Sequence, residues 1–544
     1  MSARPPVNAP LVFRLHENAP DVVREVLLER GWEEFDPQEQ EEGDWNLYWR
    51  SSAFRSSDYE NILPWQRLNH HPKTAIISRK DCLARNLRRM RGTYGPALYD
   101  FSPLAFILPN DYTRFLEEYT KNKGKRVYWI CKPVDLSRGR GIFIFKDIKH
   151  LNYDSTVIVQ KYISNPFLIS GYKFDLRIYV CVKSFRPLTI YMHQEGLVRF
   201  ATEKYDLASL DNLFSHLTNT SINKFGLFYT TDKERIGQGC KWTMSKFRSF
   251  LRSQDISEAQ LWQKISNIVT LTLLTIAPSV PSSPNCVELF GFDILIDSNF
   301  KPWLLEVNCS PALSLDCPVD IKVKKGLIND LIDLMNYRKI DRLRRRGCLR
   351  KCCLHTKCLV PKIARVLLIP KSAYEYKHQS KCLNLEKTSR SNSYPNPKTA
   401  TKKTFEVPHH RSEFDTTDSD DWELVSLPSP GQNPRRSSSN ACALPNIHFH
   451  KSTQKPPMFS WDQRTHDRTV PPHRVGDFIL TFPFNEVTQK ASQDTFDVRT
   501  IVHETHKLMS QLTSSRVHRE TRRSNDGGAV IKNKFTSRNP SSSQ

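Results

Sequence analysis

Short, mostly apolar runs dominate the middle of the chain: residues 127–132, 141–145, 157–160, 175–183, 188–193, 292–296 and 303–307. Rich in β-branched and aromatic residues and bounded by turn formers, they predict the strands of a curved, mostly antiparallel sheet. Two stretches between them change to helical spacing. One covers 241–252; the other covers 261–277, where Leu261, Ile265, Ile268, Leu271 and Leu274 fall on one face. A last core helix is predicted over 319–337. Upstream, the pattern predicts a strand at 11–15, a helix at 22–30 behind Asp21 as N-cap, and a strand at 44–50. Helices are predicted over 80–90, which is basic, and 111–121.

The pattern fails after Tyr337, and there composition takes over. Residues 338–371 carry twelve Lys and Arg against the single Asp341, and 374–472 are rich in Ser, Pro and Lys with few aliphatic runs. Such a segment buries too little apolar surface to offset its ordering entropy. Apolar residues return at 476–485. The resulting divisions are an α/β unit at 1–64, a core at 65–337, a basic helical extension at 338–373 and a disordered linker at 374–475. A short ordered segment with the composition to dock on the core follows at 476–512, then a disordered tail at 513–544.

Across all 544 residues, 80 Lys and Arg outnumber 57 Asp and Glu for a net charge of +23. An acidic partner is expected: nucleic acid, an anionic membrane or an acidic protein tail. No base-reading motif is present, and the basic run has little interleaved aromatic surface, which argues against nucleic acid. The apolar run at 268–277 is about half of what a membrane span needs, and 1–20 lack a signal-peptide core, so no membrane insertion is expected. Thirteen scattered cysteines fit reduced thiols in a cytosolic compartment. Among them Cys348, Cys352, Cys353 and Cys358 lie around His355 with a spacing that fits no common zinc site.

The candidate chemistry lies on predicted strand ends. Asp293, Glu306 and Asn308 put two carboxylates and a carboxamide about a hairpin apart, a hard oxygen set suited to Mg²⁺ shared with nucleotide phosphates. A lone acid would more often cap a turn, but these two interrupt apolar strands, where an unpaired charge is costly. Ser137-Arg-Gly-Arg-Gly141 follows Lys132 and offers backbone N–H groups and cations to phosphates. By itself that motif is more often only a hairpin turn. Gln160-Lys-Tyr-Ile163 and Lys173-Phe-Asp-Leu-Arg177, at the ends of two further strands, strengthen the phosphate reading.

Taken in order, Asn69-His-His-Pro72, Arg79-Lys-Asp81, Lys132-Pro133, Arg138-Gly-Arg-Gly-Ile142, Gln160 to Pro166, Lys173 to Tyr179, Glu195 to Ala201, His216-Leu-Thr-Asn219, Gly291-Phe-Asp293 and Trp303 to Pro311 resemble the tubulin tyrosine ligase-like family of ATP-grasp ligases over most of residues 65–340. The resemblance implies an α+β, ATP-grasp-like core of curved, mostly antiparallel sheets with flanking helices and ATP between two lobes. It implies that Lys132, Arg138, Gly139, Gln160, Lys161, Tyr162, Ile163, Lys173, Phe174, Asp175, Thr218 and Asn219 hold ATP. Asp293, Glu306 and Asn308 would hold two Mg²⁺, with Glu306 bridging. Arg199, Thr220, Ser221, Lys241 and Lys322 would bind L-glutamate, and Arg138 and Cys309 would face the acceptor.

The activity so implied is tubulin polyglutamylation through an acyl phosphate, with Lys173, Arg177 and Arg138 as catalytic cations. Partners would be the acidic C-terminal tails of tubulin in microtubules and accessory proteins. The place would be the cytoplasm and microtubule cytoskeleton, including cilia, flagella and basal bodies. In this setting the basic run after Tyr337 is expected to grip the microtubule through Arg342, Arg344, Arg345 and Arg346. A glycine or tyrosine ligase of the same family and a microtubule-binding protein without catalysis are the rival readings. The cationic set favours a dicarboxylate donor, and the retained acids favour catalysis.

Overall fold

The structure is a computed structural model that describes residues 9–227, 229, 236, 239–344, 470–493 and 496–525, without the side chains of 512–525. It contains three sheets. The first is parallel, in the order β2-β1-β3-β4, from β1 (Val12–Leu15), β2 (Glu33–Glu34), β3 (Leu47–Trp49) and β4 (Arg67–Leu68). The helix Asp21–Glu29 covers it, burying Val22, Val23, Val26 and Leu27. Pro20, not the expected Asp21, holds its N-cap position. Asp21 is the first helical residue, where its charge meets the positive end of the helix dipole.

The second sheet is antiparallel, in the order β5-β8-β6-β7, from β5 (Ala105–Leu108), β6 (Trp129–Pro133), β7 (Phe143–Phe145) and β8 (Val157–Lys161). The third, also antiparallel, is built on the long hairpin of β10 (Tyr172–Phe185) and β11 (Leu188–Lys204), with β9 (Leu168–Ile169) and β12 (Lys241–Thr243) along its flanks. β13 (Glu288–Ile296) and β14 (Pro302–Asn308) extend it on one side. The helical spacing expected from 241 begins only at Met244. Lys241–Thr243 pair with Leu197–Arg199 as strand, and Thr243 then caps the helix Met244–Ser253 by accepting from the Lys246 N–H.

Alternation along the third sheet sets its two faces. Phe174, Leu176, Ile178, Val180 and Val182 join Phe290, Phe292 and Ile294 in one core, under the helices Lys80–Tyr94 and Glu258–Leu273. Tyr179, Cys181, Tyr191 and Leu289 join the other core, shared with the helix Pro318–Met335 and with Phe13, Val23 and Leu27 of the first sheet and its helix. Leu68 also exchanges backbone bonds with Asn285 and Val287, so the first and third sheets share both a core and main-chain pairing.

Residues 470–493 and 496–511 return to this body. β15 (Arg474–Val475) and β16 (Phe478–Phe482) extend the third sheet beyond β11, with Ile190–His193 opposite β16. Phe478 enters one core and Phe482, Ile501 and Val502 the other. A latch forms where Asp330 accepts from the Asp477 N–H at 2.8 Å and meets His193 Nε2 at 3.2 Å. The helix Val498–Asn525 runs on through positions read from sequence as tail.

The residues immediately after Tyr337 also fold inward. Arg344 donates to Asp44 at 2.8 Å and to the Pro10 carbonyl, and Arg342 donates to the Ala9 carbonyl. Two of the four arginines expected to grip a microtubule are therefore ties to the first sheet. Arg345 and Arg346, the rest of the basic extension, the cysteines around His355 and the linker up to 469 lie outside the described residues. Among the described residues no cysteine is in a disulfide, and no described helix is long and apolar enough to cross a membrane.

Candidate active site

Strand register brings the charged residues together. On the face opposite the Phe174–Leu176–Ile178 core, Lys241 lies opposite Arg199, Arg199 opposite Asp175, Arg177 opposite Asp293, and Asp293 opposite Glu306. Five strands thus carry one row of charges in which Arg199–Asp175 and Arg177–Asp293 join opposite signs, as cross-strand neighbours favour, while Lys241–Arg199 and Asp293–Glu306 set like charges opposite each other. Arg177 grips Asp293 in a bidentate pair at 2.5 and 3.0 Å. Arg199 bridges Asp175 at 2.7 Å and Asp293 at 2.8 Å. Burial alone would raise the Asp293 carboxyl, but the two guanidinium groups outweigh it and hold it well below the usual range. Glu306 moves the other way: burial and the neighbouring Asp293 charge both raise it. Gly291 lets Arg177 lie flat on the sheet, since a Cβ there would stand 3.0 Å from Arg177 Cδ and 2.9 Å from Pro311.

Two cavities meet along this row. The first is a cleft lined by Lys132, Arg138, Gly139, Gln160, Lys161, Tyr162, Ile163, Lys173, Asp175, Thr218 and Asn219, together with Asp293, Glu306 and Asn308. Lys132 Nζ donates to Gln160 Oε1 at 2.9 Å, and Gln160 is anchored on the Pro103 carbonyl. Burial lowers Lys132 against the pull of Glu306, and burial lowers Lys173 to about 7 against that of Asp175. Arg138 and Gly139 both take positive φ, and Ser221 Oγ donates to the Arg138 carbonyl. A Cβ at Gly139 would stand 2.1 Å from Ile222, so only glycine lets this loop close on the 220–223 turn.

The second cavity, about 1130 Å³, is lined by Arg177, Arg199, Thr220, Ser221, Lys241, Cys309 and residues of the first sheet, including Trp49 and Arg50. Arg138, Asn219, Glu306 and Asn308 line both cavities. Lys241 is held by Asp320 at 2.6 Å, a carboxylate that burial would raise and that Lys241 and Lys324 together lower.

Two expected residues are placed elsewhere. Phe174 packs in the core against Phe167, Phe200 and Phe247, because the period of two that turns Lys173 and Asp175 toward the cleft must turn it away. Lys322 lies on the exposed side of the helix Pro318–Met335, while Lys324, 3% exposed, lines the second cavity and pairs with Asp320 at 2.9 Å. The sequence signal for Lys324 was its i,i+4 spacing from Asp320 on a helix whose acid faces inward. Lys80, His216 and Arg50 were also missed as lining residues. Lys80 and His216 sat inside motifs already singled out, whereas nothing near Arg50 in sequence pointed to a cleft.

An antiparallel sheet whose strands bring a glycine loop, buried lysines and paired acids to one cleft marks an ATP-grasp-like ligase centre. The chain belongs to the tubulin-tyrosine ligase family, whose model matches residues 56–342. It is 47% identical over 520 residues to the human protein named probable tubulin polyglutamylase TTLL2, covering 92% of this chain and 85% of that one. The mouse protein of the same name is 47% identical over 514 residues, covering 92% of both chains. Human tubulin polyglutamylase TTLL5 is 37% identical over 339 residues, covering 60% of this chain and 26% of that protein.

Proposed function

We propose that this chain is an ATP-dependent ligase that adds L-glutamate to glutamate side chains in the acidic C-terminal tails of tubulin. Membership of the ligase family and the names of its relatives support the reaction class and the substrate. The observation that carries the reading is the junction of the two cavities. Acids suited to a cation stand there between a lysine-lined cleft and a larger cavity holding Arg177, Arg199, Lys241 and Lys324.

The chemistry follows from charge. A carboxylate does not accept an amine directly, so ATP first phosphorylates it. Lys173 and Lys132 offset charge on the phosphates, and Arg138, at the mouth of both cavities, faces the acyl phosphate formed. The glutamate amine, positioned through its carboxylates by Arg199, Lys241 and Lys324, then attacks the acyl carbon. Arg177 or Arg138 stabilises the oxyanion, and phosphate leaves as the isopeptide bond forms.

Mg²⁺ fits the acid pair. Glu306 is buried against another carboxylate, and burial and that neighbouring charge raise it despite Lys132 and Arg177, while Asn308 is oriented by its Nδ2 bond to the Gly291 carbonyl. Asp293, Glu306 and Asn308 would hold two ions, which supply charge neutralisation on the transferred phosphoryl group. Arg199 rests on Asp175 and Asp293, so its service to glutamate requires it to turn from these acids. The partners are tubulin in microtubules, L-glutamate and accessory proteins, and the place is the microtubule cytoskeleton. A glycine or tyrosine donor leaves the cations of the larger cavity without a second carboxylate to bind. Incubation with tubulin, ATP, Mg²⁺ and separately labelled glutamate, glycine and tyrosine, read by mass spectrometry of the tails, tests the proposal. Glutamate alone should be incorporated; label from glycine or tyrosine instead would overturn the donor assignment.

A further inference from the structure

At the floor of the nucleotide cleft three buried side chains form a hydrogen-bonded chain that the proposed reaction does not yet use. Lys173 Nζ donates to Tyr162 Oη at 2.9 Å, Tyr162 Oη lies 2.9 Å from His216 Nδ1, and His216 Nε2 lies 3.0 Å from the Ser209 carbonyl. The donors can be assigned from the far end. A carbonyl oxygen only accepts, so His216 Nε2 carries a proton. In a neutral ring Nδ1 is then a bare acceptor, and the Tyr162 hydroxyl must donate to it. That leaves the lone pairs of Tyr162 Oη for the ammonium of Lys173. All three bonds run in one direction, toward Ser209.

We propose that Tyr162 and His216 are positioning residues for ATP binding, forming a one-way hydrogen-bond relay that aims the Lys173 ammonium into the nucleotide cleft. The proposal rests on the reading of this cleft as the ATP site.

The ionisation of the neighbours agrees with the geometry. Burial and then the Lys173 charge lower His216, while the Ser209 carbonyl and the charge and backbone of Asp206 pull the other way, and the net shift is downward, toward the neutral ring the geometry requires. An imidazolium would turn a proton toward Tyr162 and set two donors against one oxygen. Burial lowers Lys173 to about 7, with Asp175 opposing and Lys132 assisting. The groups that face the relay are Lys132 from β6, Asp175 from Lys173's own strand, Tyr205 beyond β11, and Asp206 beside His216. Phosphates favour the charged lysine. Nucleotide binding above about pH 7 should therefore take up a proton, and affinity should fall as pH rises through that value. Because the Tyr162 ring face also lies 4.5 Å from Lys173 Nζ, replacing Tyr162 by Phe removes the hydroxyl and keeps the aromatic contact.

Calorimetric titration of the full chain with Mg²⁺ and adenylyl imidodiphosphate, across a pH series and in two buffers of different ionisation enthalpy, tests this. Tyr162→Phe should bind about ten-fold or more weakly, the scale of a lost hydrogen bond to a charged group. Its alkaline loss should begin at lower pH, because the ammonium has lost its acceptor. His216→Ala should weaken binding too, and His216→Asn, whose side-chain oxygen takes the place of Nδ1, should recover most of that loss. If Tyr162→Phe unfolds, the His216 pair decides. Parent affinity and an unshifted pH profile in the variants would overturn the relay alone, whereas failure of the parent to bind the nucleotide would overturn the reading of the cleft as well.

Discussion

The cleft proposed for the nucleotide and the larger cavity share Glu306 and Asn308 but are assembled in different ways. Most polar side chains of the cleft come from strands: Lys132 on β6, Gln160 and Lys161 on β8, Lys173 and Asp175 on β10. Each precedes or follows an apolar run, so position along a strand nearly decides its place. The larger cavity instead draws on the first sheet near Arg50, on β11 and β12, on the 309–316 loop and on Lys324 of a helix. Its charges are prepaired, with Arg199 on Asp175 and Asp293, and Lys241 on Asp320. A cleft of buried lysines is poised for an anion. A cavity of buried ion pairs must exchange partners to bind one.

The largest expected effect lies where the two meet. Glu306→Gln should lower glutamate incorporation at least about a thousand-fold, the order of a lost electrostatic catalytic contact, and leave thermal stability equal or higher because a like-charge contact disappears. Normal incorporation would remove the metal assignment. Asp293→Asn strikes the prepaired row: Arg177 and Arg199 lose a shared counterion, and the fold should lose about 3–5 kcal/mol in urea denaturation. A smaller loss would mean that the row is less tightly coupled than its distances imply.

Arg344→Ala tests the wall that the first sheet gives the larger cavity. With an ion pair to Asp44 and a bond to the Pro10 carbonyl removed, stability should fall by about 1–3 kcal/mol with the KM for ATP unchanged. A changed KM for ATP with no loss of stability would contradict the structural role. The smallest effect separates two lysines on one helix. Lys324→Ala should raise the KM for glutamate about ten-fold, near 1.4 kcal/mol, while Lys322→Ala stays within about two-fold, as surface changes do. The reverse ranking in the same kinetic assay would restore Lys322 to the site.

Much of this was legible from the chain. Short runs rich in β-branched and aromatic residues, bounded by turn formers, located β6, β8, β10, β13 and β14, and the acids of Asp293 and Glu306 stood out because they interrupt apolar strands. Phe174 and Lys322 show why motif membership is not enough. Phe174 shares a motif with Lys173 and Asp175, yet a strand turns every second side chain away. Lys322 and Lys324 are two positions apart on a helix, roughly 200° around the axis by its 3.6-residue turn, so one faces solvent and the other the cavity. The boundary at 241 was missed because Lys241-Trp-Thr243 has no strand signal apart from the partner Leu197–Arg199 that it finds in space.

The sequence by itself determined the local periods, the positions of the cations and acids, and the family to which they belong, because those depend on neighbours a few residues away. Only the tertiary structure decided that Arg199 rests on Asp175 and Asp293, that Arg342 and Arg344 turn inward, and that Phe478 and Phe482 complete a sheet begun some 300 residues earlier. Those outcomes depend on strand register and on which distant surfaces bury each other. Neither is encoded in spacing along the chain: a shift of one residue in register carries every side chain of a strand to the opposite face.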